Sequence, residues 1–457
     1  MTSPQRRPGN PRPTGLHMPA TPPTGDTTSP ESTVPSQHDA LSDHTKRPVE
    51  PSLRRARLRW GAVAVVQVLG LAVWFSVSAV VPTLRAEWGI SAAAAVWLTG
   101  AVQLGFVAGA VASAMLNLAD RMRPELLLAA GAGGAATCTL VFATITDGMT
   151  TAIPLRFATG VFLAAVYPVG IKLMASWAGP AQRGAALGLL LGALTLGSTL
   201  PHLISGFPDL PWRAVLGTAA GLGAVGALFA WTVVRPGPHL AAAASVRNGR
   251  YALTMFRERG PRLANLGYFG HMWELYALWT WIPTYLLAAP AADRMPASTG
   301  FVVFLTMGAV GMLGCLVGGW GADRWGRSPA AVIALIVSGL CCLISPWAFA
   351  AGPILLIVFC AVWGASVIAD SGVFSTALSE AAESRFVGTA LTAQTAIGFA
   401  LTVVSIQLVP LLAALVGWQF VFWLLAPGPL LGAVSMFRLG CGRLPASRPL
   451  IARETSD

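Results

Sequence analysis

Long apolar runs recur along the chain, and they constrain its fold more than any other feature of the sequence. Twelve runs reach about 20 residues or more, the length that an α-helix needs to cross a bilayer. Charged residues make up only 11% of the chain, against about 25% in soluble proteins, so they cannot cover a water-facing surface. The sequence therefore predicts an all-α integral membrane protein with twelve transmembrane helices. The runs are 60–82, 92–118, 125–146, 151–177, 184–207, 212–234, 263–288, 298–321, 329–350, 353–378, 386–414 and 416–437.

The arginines between the runs indicate how the chain is oriented. A basic cluster at residues 54–59 precedes the first run, and the positive-inside rule places such a cluster in the cytoplasm. With that start, the short loops assigned to the cytoplasm hold Arg121, Arg123, Arg183, Arg324, Arg327 and Arg385, whereas the outer loops hold Arg85, Arg213 and Arg294. The asymmetry predicts a protein of the cell membrane with both termini in the cytoplasm.

Composition divides the chain into five segments. Residues 1–55 are rich in Pro, Ser and Thr and cannot bury enough apolar surface to fold, so they are predicted to be a disordered cytoplasmic tail. Residues 56–234 and 263–440 hold six runs each and are predicted to form two six-helix bundles. The arginine-rich segment 235–262 is predicted to be the cytoplasmic loop between them, and residues 441–457 a cytoplasmic tail.

The two halves resemble each other in the same direction. Ala119-Asp120-Arg121 recurs as Ala322-Asp323-Arg324, and both follow the second run of their half. Pro82-Thr83 recurs as Pro283-Thr284, and Gly160 and Trp212 have counterparts at Gly364 and Trp418. Two parallel six-helix repeats are the internal symmetry of one class of secondary transporter, with the substrate bound between the repeats.

The loop after the eighth run carries the most specific motif. Residues 319–327 read GWGADRWGR and resemble motif A of the major facilitator superfamily, G-x-L-A-D-R-x-G-R, with only the Leu replaced. Residues 156–164 similarly resemble motif B of that family, R-x-x-x-G-x-x-x-A. The resemblance covers about residues 55–440, and it implies the fold of two parallel bundles. It also implies a gate on the cytoplasmic side, formed by Gly319, Asp323, Arg324, Gly326 and Arg327 with Asp120 and Arg121 of the first half.

The resemblance further implies that helices 1, 4, 7 and 10 line a central cavity. The polar and aromatic residues of those four runs are the candidates for substrate binding: Arg156, Gln67, Trp74, Tyr167, Tyr276 and Trp363. For Arg156 two interpretations are open, since a long basic side chain can also extend to the membrane surface. The tryptophans can equally pack against lipid or neighbouring helices.

A carboxylate lies deep within the seventh run. Glu274 is close to the middle of the apolar stretch 267–283, and an ionisable group at that depth is expensive unless it is paired or functional. His271 is three residues away on the same helix face and could relay protons to it. We predict that Glu274, His271 and Asp370 couple proton movement to transport, with a structural ion pair as the alternative for Glu274.

These features predict a secondary active transporter that moves a small polar or charged organic solute by alternating access, with proton symport favoured. An uncoupled facilitator and a drug/proton antiporter of the same fold are the alternatives, and the missing proline of motif C after Gly188–Gly192 argues against the antiporter. An enzyme is not expected, because the sequence contains neither HExxH nor GxSxG.

The expected partners are the solute, protons and the lipid bilayer, and the protein is expected to be a monomer. The net charge of +11 is spread over many short loops, so nucleic-acid binding is not predicted. The six cysteines show no metal-ligand spacing, so neither a metal nor a cofactor is expected.

Overall fold

The first half of the molecule is helical throughout the residues that the structure describes, apart from short connections. The computed structural model describes residues 53–179, 182–207, 210–240 and 250–441. Most of the predicted tails (1–55 and 441–457) and part of the central loop lie outside it, while residues 53–55 and 441 belong to helices. The helices are α1 (Leu53–Leu71), α2 (Val81–Trp88), α3 (Ala92–Ala95), α4 (Trp97–Leu116), α5 (Leu118–Arg121), α6 (Pro124–Ile145), α7 (Met149–Leu163), α8 (Tyr167–Ser176), α9 (Arg183–Ser205) and α10 (Trp212–Thr232).

The second half follows the central segment and is also helical. Its helices are α11 (Tyr251–Thr254), α12 (Arg259–Ala288), α13 (Thr299–Val303), α14 (Val310–Trp325), α15 (Arg327–Phe349), α16 (Pro353–Ala369), α17 (Ser371–Ala381), α18 (Val387–Val416) and α19 (Pro427–Cys441). A π-helical turn at Phe304–Ala309 joins α13 to α14. The described residues of both halves belong to one compact unit.

Ten helical stretches in the described residues are long and apolar enough to cross a membrane. They correspond to the predicted runs two to six and eight to twelve, so the all-α membrane fold is confirmed. The other two are the first run, of which α1 covers only residues 60–71 before a break, and the seventh, which is helical but does not reach this apolarity. The seventh corresponds to α12, which carries Arg259, His271 and Glu274. A total of twelve transmembrane helices therefore stays a prediction.

Five predicted runs are interrupted rather than continuous. The second is broken at Val96 between α3 and α4, and the twelfth, predicted over 416–437, passes through a 3-10 helix at Val421–Leu424 before α19 begins. The first was expected to be one span over 60–82, but α1 ends at Leu71 and the chain passes through turns before a 3-10 helix at Ser78–Val80. The fourth is interrupted between α7 and α8, and the tenth at Asp370 between α16 and α17. An interrupted helix exposes backbone groups that must find other partners, and such interruptions in membrane proteins lie where they face protein or a cavity.

Close helix packing holds the two halves together on either side. Helix α9 packs against α14, and α4 packs against α18. Small residues permit the first contact, since a Cβ on Gly319 would lie only 2.9 Å from the carbonyl oxygen of Gly184. We call the end of the molecule where α9 begins and α14 ends the Asp323 end. The opposite end, which holds the start of α2, is the Pro82 end.

Candidate functional site

Arg156 on α7 is buried and is committed to backbone carbonyls. Its side chain is 1% exposed and therefore does not extend to the surface. Its Nη1 and Nη2 atoms donate to the carbonyl oxygens of Val73 (3.3 Å) and Trp74 (2.5 Å), and Nε donates to Leu98 (3.2 Å). Residues 73 and 74 lie where the first span is interrupted. Arg156 therefore supplies hydrogen bonds that the broken helix lacks, and its predicted contact with substrate stays a prediction.

Gln67 on α1 makes a similar contact in the opposite direction, from the first span to the fourth. Its Nε2 atom donates to the carbonyl oxygen of Val166 at 3.1 Å, at the interruption between α7 and α8. Gly170 allows this approach, since a Cβ there would collide with the Gln67 amide. Tyr167, another substrate-binding candidate, is half-buried and begins α8 at the same interruption. The Val166 carbonyl also accepts from the Gly170 N–H at 2.9 Å, so Gln67 adds a second donor there and ties the first span to the fourth.

An aromatic cluster fills the centre of the molecule between the two halves. Trp74 and Phe106 come from the first half, and Tyr276 and Phe399 come from the second. The ring centroids of Trp74 and Tyr276 are 5.8 Å apart, and those of Phe106 and Phe399 are 4.2 Å apart. The structure therefore brings together two of the predicted substrate-binding residues. All four side chains are buried, so the path through the centre is closed in this conformation.

Several buried polar atoms inside the molecule lack hydrogen-bond partners within the described part of the chain. They are Nε1 of Trp74 and Trp279, Oε1 of Gln67, Oγ of Ser198, and both amide atoms of Gln103 and of Gln394. Buried polar groups are normally satisfied, so such a group needs an explanation. Gln103 lies one turn from Phe106 on the same face of α4. The sequence analysis missed Gln103, Gln394 and Ser198, although an amide inside an apolar run is a signal that could have identified the two glutamines.

Glu274 lies inside the second half rather than between the halves. Its Oε1 atom accepts hydrogen bonds from Ser338 Oγ at 2.6 Å, Trp363 Nε1 at 2.7 Å and Cys342 Sγ at 3.2 Å. These donors come from α15 and α16. The structure therefore makes Trp363, a predicted substrate-binding residue, a partner of the predicted proton carrier. Ser338 and Cys342 were not predicted, because nothing in their local sequence shows which helix they face.

His271 contacts the interruption of the tenth span. Its Nδ1 atom lies 2.9 Å from Asp370 Oδ1, which is ion-pair distance without an aligned hydrogen bond, and its Nε2 atom lies 3.0 Å from Ser371 Oγ. His271 and Asp370 are both buried. Within the described residues the imidazole makes no hydrogen bond to Glu274, so a direct relay between the two is not formed in this conformation.

The motif A residues close the Asp323 end. Gly319, Asp323 and Arg324 belong to the last turns of α14, so this part of the motif is helical and not a loop as predicted. The carboxylate of Asp323 lies against Gly184 in the first turn of α9, where a Cβ would collide with it. A carboxylate is stabilised at a helix N-terminus by the helix dipole. The contact therefore joins the two halves.

Other residues of the motif terminate α14 and add an ion pair. Gly326 has φ +93°, which side chains disfavour, and it ends the helix. Arg327 pairs with Glu380 on α17. In the first-half copy, Arg121 is exposed at the end of α5, and the side chain of Asp120 lies outside the described part.

A cavity of about 190 Å³ opens at the Pro82 end, and we call it the His202 cavity. Both halves line it, since Ser78, Thr99 and His202 come from the first half and Thr280 and Thr284 from the second. A void with no room for water continues inward from His202 between Phe75 and Trp279. The molecule is thus closed by motif A at one end and hollow at the other.

Comparison with known proteins identifies the family. The sequence profile described as Major Facilitator Superfamily matches residues 63–406, well over half of the chain. The chain belongs to the major facilitator superfamily. The gallate transporter of Pseudomonas putida is 27% identical to this major facilitator protein over 322 residues, which cover 62% of this chain and 69% of that protein. The resemblance inferred from motif A is confirmed, and both matches indicate a transporter rather than an enzyme.

Proposed function

We propose that this protein is a secondary active transporter that carries a small aromatic carboxylate across the cell membrane by alternating access, with proton symport. The observation that carries the proposal is the aromatic cluster between the halves, together with the unpartnered buried polar atoms of Trp74, of Gln103 one turn from Phe106, and of Trp279 beside Tyr276. Aromatic rings stack on a planar substrate, and free amide and indole N–H groups donate to its oxygens.

The substrate class is supported by the relative as well as by the site. That protein is named a gallate transporter, and gallate is an aromatic ring with a carboxylate and hydroxyl groups. The donors available near the rings are Trp74 Nε1 and the amide of Gln103. The guanidinium of Arg156 lies behind the backbone of Trp74 and adds a fixed positive charge on the same side. An anion is therefore favoured over a cation.

The proposed topology contains twelve spans, with interrupted α1 and the polar α12 as the first and seventh. Both termini then lie in the cytoplasm, and so does the Asp323 end. Residues 56–234 and 263–440 are the two bundles, and the protein acts as a monomer. In this arrangement the conformation is closed to the cytoplasm by motif A and has its cavity on the outer side.

Protons are proposed to bind at Glu274 and at the His271–Asp370 pair. A single carboxylate that is buried among neutral donors is costly to keep charged and unpaired. Binding a proton neutralises it and removes that cost. The interruption at Asp370 leads toward the Asp323 end, since Ala369 and Gly372 line a cavity of about 70 Å³ there. That cavity offers a route for proton release.

The coupling is tested in proteoliposomes with radiolabelled gallate. We expect an inside-alkaline pH gradient to drive uphill uptake by the wild type. Glu274→Gln should abolish accumulation and leave gallate exchange measurable, because the amide cannot release a proton. The matched control is Glu383→Gln at an exposed position paired with Arg385. Undiminished uphill uptake by Glu274→Gln would contradict the coupling role.

An uncoupled facilitator is the second candidate, and one observation favours it. Glu274 accepts all three of its described hydrogen bonds within one bundle, as a purely structural group would. Uptake that equilibrates but never exceeds the outer concentration, at any pH gradient, would support this candidate and exclude symport.

A further inference from the structure

We infer that the His202 cavity is a second binding site, at which a single-ring carboxylate is held before it reaches the aromatic cluster. The inference rests on the proposed function for the identity of the ligand. Its volume is about 190 Å³, and a cavity of about 150 Å³ is known to hold benzene. The space therefore has room for one substituted ring.

The walls of the cavity match such a ligand. Its faces include the apolar side chains of Val96, Trp281 and Pro283, against which a ring can pack. Hydroxyl groups line the remainder, from Ser78, Thr99, Ser205, Thr280, Thr284 and Ser298. The hydroxyls of Ser78 and Thr99 are 2.8 Å apart and hydrogen-bond to each other. The pair retains the capacity to bind one more oxygen.

His202 is the residue that distinguishes this cavity from a simple solvent pocket. It is only 3% exposed, yet its imidazole makes no hydrogen bond or ion pair with any described residue. The side chain lines both the cavity and the narrow void that leads inward. An unpartnered, buried imidazole at a hydroxyl-rich wall supplies the donor that a carboxylate or phenol requires.

The cavity is separated from the aromatic cluster by a closed pair of rings. Phe75 and Trp279 meet edge to face with their centroids 5.7 Å apart, and both line the narrow void beneath His202. Phe75 also stacks on Tyr276 of the cluster, at 5.9 Å. We call the pair of Phe75 and Trp279 the ring gate, and it separates a ligand in the cavity from the central site. The two sites can be occupied and tested separately.

The test measures protection of a thiol in the cavity. Purified full-length Thr284→Cys is labelled with a charged thiol reagent, with and without gallate, benzoate or cyclohexanecarboxylate. The native Cys441 is exposed at the C-terminal end of α19 and serves as the internal control. We expect gallate and benzoate to slow labelling at position 284 and to leave Cys441 unaffected. Ser298→Cys, at the rim of the same cavity, replaces Thr284→Cys if that variant does not fold.

His202→Leu is then added to the reporter variant, because leucine fills a similar space without a hydrogen-bond donor. The loss of a hydrogen bond to a charged ligand should weaken protection about tenfold. The matched control is His239→Leu, because His239 lies outside both cavities and uses its backbone N–H to bond Ser176. Absence of protection in the wild-type background, or full protection in His202→Leu, would overturn the inference.

The outcomes separate this inference from the proposed function. Gln103→Leu should impair gallate uptake and leave the protection at position 284 intact, because Gln103 lies beyond the ring gate. Protection without any gallate transport would refute the proposed function and leave the second site standing. Transport without protection would refute the second site and leave the proposed function standing.

Discussion

At the scale of single residues, the buried polar side chains divide into two groups. Arg156 and Gln67 hydrogen-bond to carbonyl oxygens at helix interruptions, so their first role is to complete the backbone. Gln103 and Gln394 are equally buried but have no partner for either amide atom in the described residues. Such a group loses its hydrogen bonds to water on burial and forms none in the fold, so it is a candidate for binding a ligand.

Arg156→Ala should reduce stability before it affects substrate affinity. The variant leaves the buried carbonyl group of Trp74 without its donor, at about 1–3 kcal/mol if water cannot reach it, whereas Val73 still accepts from Ser76 Oγ at 2.8 Å. Thermal unfolding in detergent should show a clearly lower Tm, with Arg85→Ala at an exposed position as the control. An unchanged Tm together with a raised KM would assign Arg156 to substrate binding instead.

Gln103→Leu should have the opposite profile. Leucine has a similar shape and removes an unsatisfied amide, so the folded protein should be as stable as the wild type or more stable. The KM for gallate should rise about tenfold, since a hydrogen bond to a charged ligand is lost. Uptake kinetics and a melting curve of the same variant check both parts. A destabilised variant with unchanged KM would show that Gln103 serves the fold.

At the scale of helices, three of the interruptions lie beside groups to which we assign a function. The first and fourth spans break beside the central cluster, and the tenth breaks at Asp370, where His271 contacts it. Each break is next to a tight helix pair. In the first half, α4 and α7 approach so closely that a Cβ on Gly105 would collide with the carbonyl of Phe157, and one on Gly160 with that of Val102. The close packing holds Arg156 near the first break.

Gly160→Ala should therefore be strongly destabilising. The added methyl group meets backbone atoms of α4, which cannot move aside as a flexible side chain would, so α4 and α7 must separate. We expect low yield of folded protein and a much lower Tm. Gly217→Ala on α10 is the matched control, since nothing lies within 4 Å of its Cβ and alanine favours helix by about 1 kcal/mol. Equal stability of the two variants would refute this account of the packing.

At the scale of the whole molecule, the two halves are closed at the Asp323 end and hollow at the Pro82 end. The contact between Asp323 and the start of α9 joins the halves at one end, while the His202 cavity lies between them at the other. Such asymmetry is what alternating access requires of each end state. The aromatic cluster lies between the two ends and must open for a substrate to pass.

Asp323→Asn should shift the population toward the state that is open at the Asp323 end. The loss of a charge at a helix N-terminus costs about 0.3–1 kcal/mol, enough to change a balanced equilibrium several-fold. The cavity at the Pro82 end should then be less accessible, so the thiol of Thr284→Cys should be labelled more slowly. Asp293→Asn, in a short turn outside motif A, is the control. Labelling at the wild-type rate would show that Asp323 does not hold the end closed.

Sequence reasoning succeeded where the relevant information is local. Apolar run length predicted ten of the helical stretches, and motif A predicted the family, because helix formation in a bilayer and a short motif both depend on neighbouring residues. It failed at the interruptions near 72–77, 164–166 and 370. Residues 72–77 contain neither proline nor glycine, but Pro168 in the first turn of α8 follows the break at 164–166 and is a local signal that sequence reasoning did not use. Those breaks are stabilised by side chains such as Arg156, 83 residues away from Val73 along the chain.

The sequence by itself determined that the chain is an all-α membrane protein of two related halves, with Glu274 and Asp370 as deep acids. Only the tertiary structure decided which partners these groups have. His271 and Glu274 share a helix face, yet His271 contacts Asp370 and Glu274 contacts Trp363, 89 residues away. Helical periodicity specifies the face on which a residue lies. The helix that covers this face is chosen by packing of the whole bundle, which brings together residues far apart in the chain.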